Sequence, residues 1–239
     1  MTKRLFHSLC LSFCVLLTFG CAGQERKTEN YTFKEGSYSG TGKWYMGREI
    51  AHVMGAGGMP WLDRPERESE ERVSLLLKNL DLQKTDVVAD IGAGSGYHVF
   101  RMAPKVRDGK VFAVDLQVEM LEELRERKRK GNFTNVEVIQ GTEESVNLPP
   151  GSVDKILMVD VYHEFSYPVE MLASMYAALK PGGKIYLIEY RKEDPKVPIK
   201  ELHKMSEAQA IAEYEANGFT YETNISNLPW QHCLVFVRE

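Results

Sequence analysis

Five short runs rich in β-branched and apolar residues, at positions 87–91, 111–114, 136–139, 156–159 and 185–188, are separated by intervals long enough for helices. Runs that are apolar at nearly every position are buried on both faces, the condition of strands in a parallel sheet covered by helices. Residues 97–105, 118–130 and 169–179 carry helical patterns between them. Pro181-Gly182-Gly183 reads as a turn into the fifth run, since proline cannot prolong a helix and glycine accepts positive φ. Ser206-Glu207-Ala208-Gln209 is a capping box for a helix running to about Asn217, which Gly218 ends. Two further strands, near 220–224 and 232–238, follow with no helix between them and so pair as an antiparallel hairpin. The expected fold class is α/β, an open and mostly parallel sheet with that hairpin at its end.

The chain of 239 residues is 43% hydrophobic, enough for one sizeable core preceded by an N-terminal segment. Residues 1–21 read as a signal peptide: Lys3 and Arg4, an apolar stretch over 5–19, then Gly20-Cys21-Ala22-Gly23. That stretch is shorter than the about 20 apolar residues of a membrane span. Cys21 occupies the place of the lipidated cysteine in bacterial lipoprotein signals, and the segment looks like one of those. An ordinary signal peptide or a single N-terminal anchor is the alternative. The expected location is therefore exported, membrane-anchored and facing the periplasm, or cytoplasmic if the segment is no signal. Residues 22–43 are polar, with Gly36, Gly40 and Gly42 and no sustained period, and read as a linker. Within them Gly40-Thr41-Gly42-Lys43 mimics a phosphate loop, but Ser37 stands at the first glycine position and Trp44 where a magnesium-binding hydroxyl belongs. Residues 44–82 form an N-terminal cap rich in aromatics and methionine, ending in a charged helix from near Glu66 that carries Val73, Leu76, Leu77 and Leu80. Residues 83–239 form the main domain.

Of four cysteines only Cys233 lies beyond the signal, which excludes a disulfide within the body and a Cys-x-x-Cys zinc site. The net charge of -4 supplies no broad cationic surface for neutralising phosphates, so a nucleic-acid substrate is disfavoured.

In open α/β sheets a ligand binds beyond the carboxyl ends of the strands, where the strand order reverses. The turn Gly92-Ala93-Gly94-Ser95-Gly96, directly after the first run, falls there, and its glycines allow the backbone to approach a ligand closely. Dinucleotide enzymes share this logic, but their fingerprint wants glycine where Tyr97 stands. Asp90, two residues before Gly92, would repel a pyrophosphate and suits the ammonium and sulfonium charges of S-adenosyl-L-methionine. Asp115 lies just past the second strand, about 20 residues on, where a carboxylate accepts ribose hydroxyls; capping the following helix is its structural alternative. Thr142 and Glu143, past the third strand, are placed to flank the adenine.

With Val88-Ala89-Asp90-Ile91-Gly92-Ala93-Gly94-Ser95-Gly96, Ala113-Val114-Asp115, Ser152-Val153-Asp154-Lys155-Ile156 and Leu179-Lys180-Pro181-Gly182-Gly183-Lys184, the sequence from about Val87 to Glu239 resembles the class I S-adenosylmethionine-dependent methyltransferases. The resemblance implies a Rossmann-like sheet of seven strands with a reversed final strand and helices on both faces. It implies cofactor contacts from Asp90, Gly92 and Asp115, to which Ala93, Gly94, Gly96, Leu116, Thr142, Glu143 and Asp160 are added as neighbours in the same turns. It also implies an acceptor site over the fourth and fifth strand ends, where a small-molecule methyl acceptor is expected.

Methyl transfer is an in-line displacement at an activated sulfonium, so positioning and exclusion of water carry much of it. Asp160-Val161-Tyr162-His163-Glu164 lies at the fourth strand's tip, with His163 the first candidate for a base or acceptor-orienting group and Tyr162 and Glu164 behind it. Packing against the cofactor is the alternative for His163. Residues 195–205 form a proline-containing insertion suited to a lid or acceptor wall. Trp61 and Trp230 are candidate aromatic walls, with Trp61 read more as surface packing. His163, Glu164, Glu189, His203 and His232 are metal-compatible types without a local pair to fix geometry, so no metal is expected. A cofactor-binding sensor without turnover, and a nicotinamide-dependent oxidoreductase, are the competing functions.

Overall fold

The computed structural model describes residues 30–239, and the signal and the Cys21 anchor reading lie outside them. Three strands come first: β1 (Tyr31–Phe33), β2 (Gly40–Tyr45) and β3 (Arg48–Ala51) form a small antiparallel sheet. This differs from the linker reading of residues 22–43. Three-residue strands and repeated glycines leave no legible period, yet among the described residues Gly40 has a packing reason to be there. A β-carbon on Gly40 would fall 2.2 Å from the Glu49 carboxyl, and that carboxylate accepts the backbone N–H groups of Ser37 at 3.0 Å and Gly42 at 3.1 Å. Tyr31 is buried against Tyr45 and Tyr167, and its hydroxyl donates to Glu170 Oε2 at 2.5 Å.

The helix Met59–Leu62 follows, and the single helix expected from Glu66 is two, Arg67–Glu71 and Val73–Asn79, broken at Arg72 with φ +51°. The main sheet then takes β4 (Val87–Ile91), β5 (Lys110–Asp115), β6 (Val136–Gln140), β7 (Val153–Val159), β8 (Leu179–Tyr190), β9 (Phe219–Asn224) and β10 (Gln231–Arg238). Their order is β6-β5-β4-β7-β8-β10-β9, with the first five parallel and β10 antiparallel to both neighbours. The α/β, mostly parallel seven-stranded sheet with an antiparallel ending is therefore as the sequence leads one to expect.

Strand alternation sends Ala89, Phe112 and Ile156 to one face and Val88, Val111 and Leu157 to the other. Helix Pro168–Ala178, with Met171, Leu172 and Met175, and Tyr214 of helix Glu207–Glu215 cover the first face. Leu76, Val99, Leu121 and Leu124 from the helices on the other side cover the second. Each such buried side chain contributes about 1.5–3 kcal/mol relative to exposure, which explains why near-continuous apolar strands are needed. Ser206 accepts the Gln209 N–H at 3.2 Å, the expected cap.

The chain runs from β4 through β5 to β6 on one side, then crosses to β7 and β8 on the other. The reversal lies between β4 and β7 and leaves a crevice beyond their carboxyl ends. The N-terminal sheet is locked against this crevice by one buried ion pair. Arg48 of β3 donates through Nε and Nη2 to Glu213 at 2.8 and 2.9 Å and through Nη1 to the His163 carbonyl at 3.1 Å. Glu213 is fully buried and also takes the Tyr162 hydroxyl at 2.7 Å. Removing one partner strands a buried charge, so Arg48→Ala should cost about 3–5 kcal/mol in urea unfolding. A loss below about 1 kcal/mol, the level of an exposed pair, would show that the cap is not held this way.

Candidate active site at the strand ends

The glycine turn is built around Asp115. Gly92 and Gly94 have φ of +72° and +54°, and a β-carbon on Gly92 would fall 2.4 Å from Val161. The Gly94 N–H donates to Asp115 Oδ2 at 2.8 Å and the Gln117 N–H to Asp115 Oδ1 at 2.9 Å. A carboxylate offers about four lone-pair sites, so these two bonds leave acceptor capacity for a ligand hydroxyl. Burial pushes this carboxyl up, against the pull of those backbone donors.

A cavity of about 480 Å³ opens from this turn, within the usual ligand-pocket range. Gly92, Gly94, Asp115, Leu116, Thr142, Glu143 and Asp160 line it, while Asp90, Ala93 and Gly96 do not. Gly96 is instead needed for packing, since a β-carbon there would strike Phe100 and Leu124. Asp90 sits behind the wall, 2% exposed, and burial raises its carboxyl to about 7, opposed by Arg67 and assisted by Asp115. Asp160 adopts φ +52°, and its Oδ2 accepts the Gln231 Nε2–H at 2.7 Å. Asp90 Oδ2 and Asp160 Oδ1 are buried and have no hydrogen-bond partner among the described residues. Burial, Glu71 and Glu189 hold Asp160 well above the carboxylate range. Such a cluster favours a cation close by.

Arg64, Arg67, Glu71 and Tyr190 also line the cavity; the first three were missed in the sequence, where the charged helix from near Glu66 shows only one apolar face. Glu71 is fully buried and takes Arg67 at 2.7 Å, Arg64 at 2.6 Å and the Tyr190 hydroxyl at 3.0 Å. The signal was the Arg67, Glu71 spacing of four residues, which turns both charges to the same helix face.

The far end of the cavity holds His163 and Glu164 from the turn after β7 and His203 from the insertion. Glu189, at the end of β8, is fully buried. Its Oε1 takes the N–H groups of Tyr162 and His163 at 2.9 and 3.3 Å, and its Oε2 takes His163 Nδ1 at 2.6 Å. Burial alone would lower the His163 pKa, but Glu189 and Glu164 raise it to about 10. Burial alone would raise Glu164, but His163 and His203 bring it down to about 2. Tyr162 is corrected as a candidate: it is fully buried, its hydroxyl is spent on Glu213, and it does not line the cavity. Trp61 lines the cavity and Trp230 does not, the reverse of the expected order. His232 is engaged elsewhere, with Glu193 at 2.9 Å and Asn224 at 3.0 Å.

Residues 82–232 match the protein family described as a methyltransferase domain. The chain belongs to that family. It is 31% identical over 144 residues to the uncharacterized methyltransferase YdaC of Bacillus subtilis (strain 168), covering 60% of this chain and 76% of that protein. It is 31% identical over 120 residues to the ubiquinone/menaquinone biosynthesis C-methyltransferase UbiE of Francisella tularensis subsp. novicida (strain U112), covering 49% of this chain and 47% of that one. Over 139 residues it is 30% identical to the tRNA U34 carboxymethyltransferase of Desulfotalea psychrophila (strain LSv54 / DSM 12343), covering 54% of this chain and 43% of that one. Less than half of each of these last two proteins is thus shared. A SAM dependent methyltransferase from Aquifex aeolicus superposes with a TM-score of 0.74 at 26% identity, covering 78% of this chain and all of that one. SpnF, a cyclase, shares the fold at a TM-score of 0.55 and 20% identity, covering 65% of this chain and 60% of its own, so the fold by itself does not dictate methyl transfer.

The cofactor of this methyltransferase is S-adenosylmethionine, and its residues fit that molecule. Asp115 offers free lone pairs for a ribose, and the unpartnered Asp160 oxygen suits a cationic amino-acid end. Because folded Asp90 keeps its proton up to about pH 7 and the unfolded carboxyl loses it near 4, the folded methyltransferase binds more protons in that window. Stability therefore falls as pH rises from 4 to 7, by on the order of 4 kcal/mol from this group. Asp90→Asn should flatten the pH profile of urea midpoints and gain most at pH 7.5; parallel profiles for the two proteins would refute the assignment.

Proposed function

We propose that the chain catalyses transfer of the methyl group of S-adenosylmethionine to a small-molecule acceptor bound beside His163, Glu164 and His203. The observation that carries this reading is the continuity of one cavity, which runs from the glycine turn and Asp115 to that cluster. Val53, Met54, Trp61 and Leu62 of the cap and Pro198, Ile199 and Lys200 of the insertion wall it in. Walls on several sides exclude water and favour a compact acceptor over a long polymer.

The bound cofactor supplies a methyl carbon already activated by its sulfonium. Asp115 would take the ribose hydroxyls, Thr142 and Glu143 would flank the adenine, and Asp160 would face the ammonium. His163 keeps its proton at neutral pH, so in the metal-free protein it orients the acceptor as a donor rather than abstracting a proton. Glu164 is ionised and accepts from an acceptor O–H or N–H. This orientation lets the acceptor lone pair lie in line with the bond to be broken. The reading of a cofactor sensor without turnover leaves the charged cluster at the far end unexplained, and the nicotinamide reading lacks a glycine at Tyr97.

Methyl-labelled S-adenosylmethionine incubated with the full chain and fractionated cell extract should release S-adenosylhomocysteine with a small-molecule fraction. His163→Ala should lower that turnover by about a hundredfold while cofactor affinity stays nearly unchanged. Turnover confined to a nucleic-acid fraction would overturn the acceptor class. No acceptor-dependent release from any fraction would favour the sensor.

A further inference from the structure

The side chains of His163, Glu164 and His203 converge where no local sequence pair announces a metal site. His163 Nε2 lies 3.1 Å from His203 Nδ1 and 3.7 Å from Glu164 Oε1, and the third edge, His203 Nδ1 to Glu164 Oε1, is 3.5 Å. Ligands about 2.0–2.1 Å from a tetrahedral zinc ion stand about 3.3 Å apart. The three edges bracket that value. A closed hydrogen-bonded triangle has a poorer account of them, since only the 3.1 Å edge is within ordinary hydrogen-bond reach.

We propose that His163 Nε2, His203 Nδ1 and Glu164 Oε1 bind one divalent metal ion of the zinc class, leaving a fourth position open to the cavity for an oxygen or sulfur atom of the methyl acceptor.

The surrounding hydrogen bonds orient each donor toward this point. Glu189 receives two backbone N–H groups, so its carboxylate acts as acceptor and the His163 Nδ1–H donates to it at 2.6 Å. With Nδ1–H held by Glu189, the proton that the metal displaces is the one on Nε2, whose lone pair then faces the cluster and is made more basic, as carboxylate partners of metal-bound histidines do. The Met54 N–H occupies Glu164 Oε2 at 3.1 Å and leaves Oε1 free to face the histidines. His203 is held by its own segment, because two residues later Met205 donates its N–H to Tyr190 O at 3.0 Å and accepts the Lys192 N–H at 3.1 Å. Two imidazoles and one carboxylate with an open position form the donor set of a catalytic rather than a structural site.

This inference rests on the methyltransferase reading only for the use of the fourth position. There an acceptor O–H or S–H loses its proton to solvent, and the resulting anion attacks the methyl carbon. The new bond to oxygen or sulfur forms as the bond from methyl carbon to cofactor sulfur breaks. That electron pair stays on the sulfur as a neutral thioether. Metal coordination makes the deprotonation accessible near neutral pH.

Titration of the full chain with Co²⁺ tests the site directly through the visible bands of four-coordinate cobalt. One saturable equivalent, bleached by Zn²⁺, is expected for wild type and for His232→Asn, whose histidine lies outside the cluster. His203→Asn and Glu164→Gln should lose those bands, and Glu189→Gln should weaken binding about tenfold or more, each with unchanged circular dichroism. Should His203→Asn misfold, Glu164→Gln gives the same readout from a separate element. Absence of a saturable band in wild type, or bands equal in wild type and both cluster variants, would overturn the proposal. Thermal stabilisation by S-adenosylhomocysteine, measured without added metal, reports on the methyltransferase reading separately. Stabilisation without a cobalt site sinks the metal alone, and a cobalt site without stabilisation sinks the cofactor reading alone.

Discussion

The site depends on one buried carboxylate, Glu189. It stands at the carboxyl end of β8 with no exposed surface and collects three hydrogens, all from the segment that leaves the neighbouring strand β7. A buried charge without partners would cost several kcal/mol, so the β7 tip is bound to fold toward it. The turn Tyr162–Glu164 is the conformation that delivers two backbone donors and an imidazole to one side chain. The same fold-back points Tyr162 into the core, where Glu213 receives its hydroxyl and in turn binds Arg48 of the N-terminal sheet. One chain of buried polar contacts thus runs from the main sheet through the acceptor end of the cavity to the cap.

The two ends of the cavity are electrostatically distinct. At the cofactor end Asp90, Asp160 and Glu71 are buried together, balanced by Arg64 and Arg67, and burial pushes the carboxyls of Asp90 and Asp160 up. A cationic ligand lowers the cost of ionising them, which links binding to the pKa of each. At the acceptor end, His163 and Glu164 are driven apart in pKa by their mutual attraction and by Glu189. In the proposed function the first arrangement would meet the cationic end of the cofactor, and the second would orient the methyl acceptor.

Much of this was legible in the sequence because it follows from local rules. Apolar runs gave a parallel sheet, the missing helix before 232–238 gave an antiparallel ending, and Asp115 with the glycine turn pointed to the crevice where the cavity lies. What escaped depends on long-range contact. Tyr31 and Gly40 read as linker because their partners, Glu170 and Glu49, are set by folding rather than by a period. Arg67 and Glu71 drew no assignment in the charged helix, because their partners Leu62, Tyr190 and Arg64 meet them only on folding. His203 lies 40 residues from His163 in sequence, and nothing local could place its nitrogen beside Glu164. Tyr162 shows the opposite error: adjacency to His163 made it a candidate, but in this tight turn neighbouring side chains take different directions.

The central claim is that one cavity holds the cofactor's ribose at Asp115 and its reacting sulfur toward His163. A crystal structure of the protein with S-adenosylhomocysteine tests it most directly. The expected result is a ribose within hydrogen-bond distance of Asp115 and a thioether sulfur directed at the His163, Glu164 and His203 end. Ligand density with its adenosine against those three residues, or outside the cavity, would contradict the account.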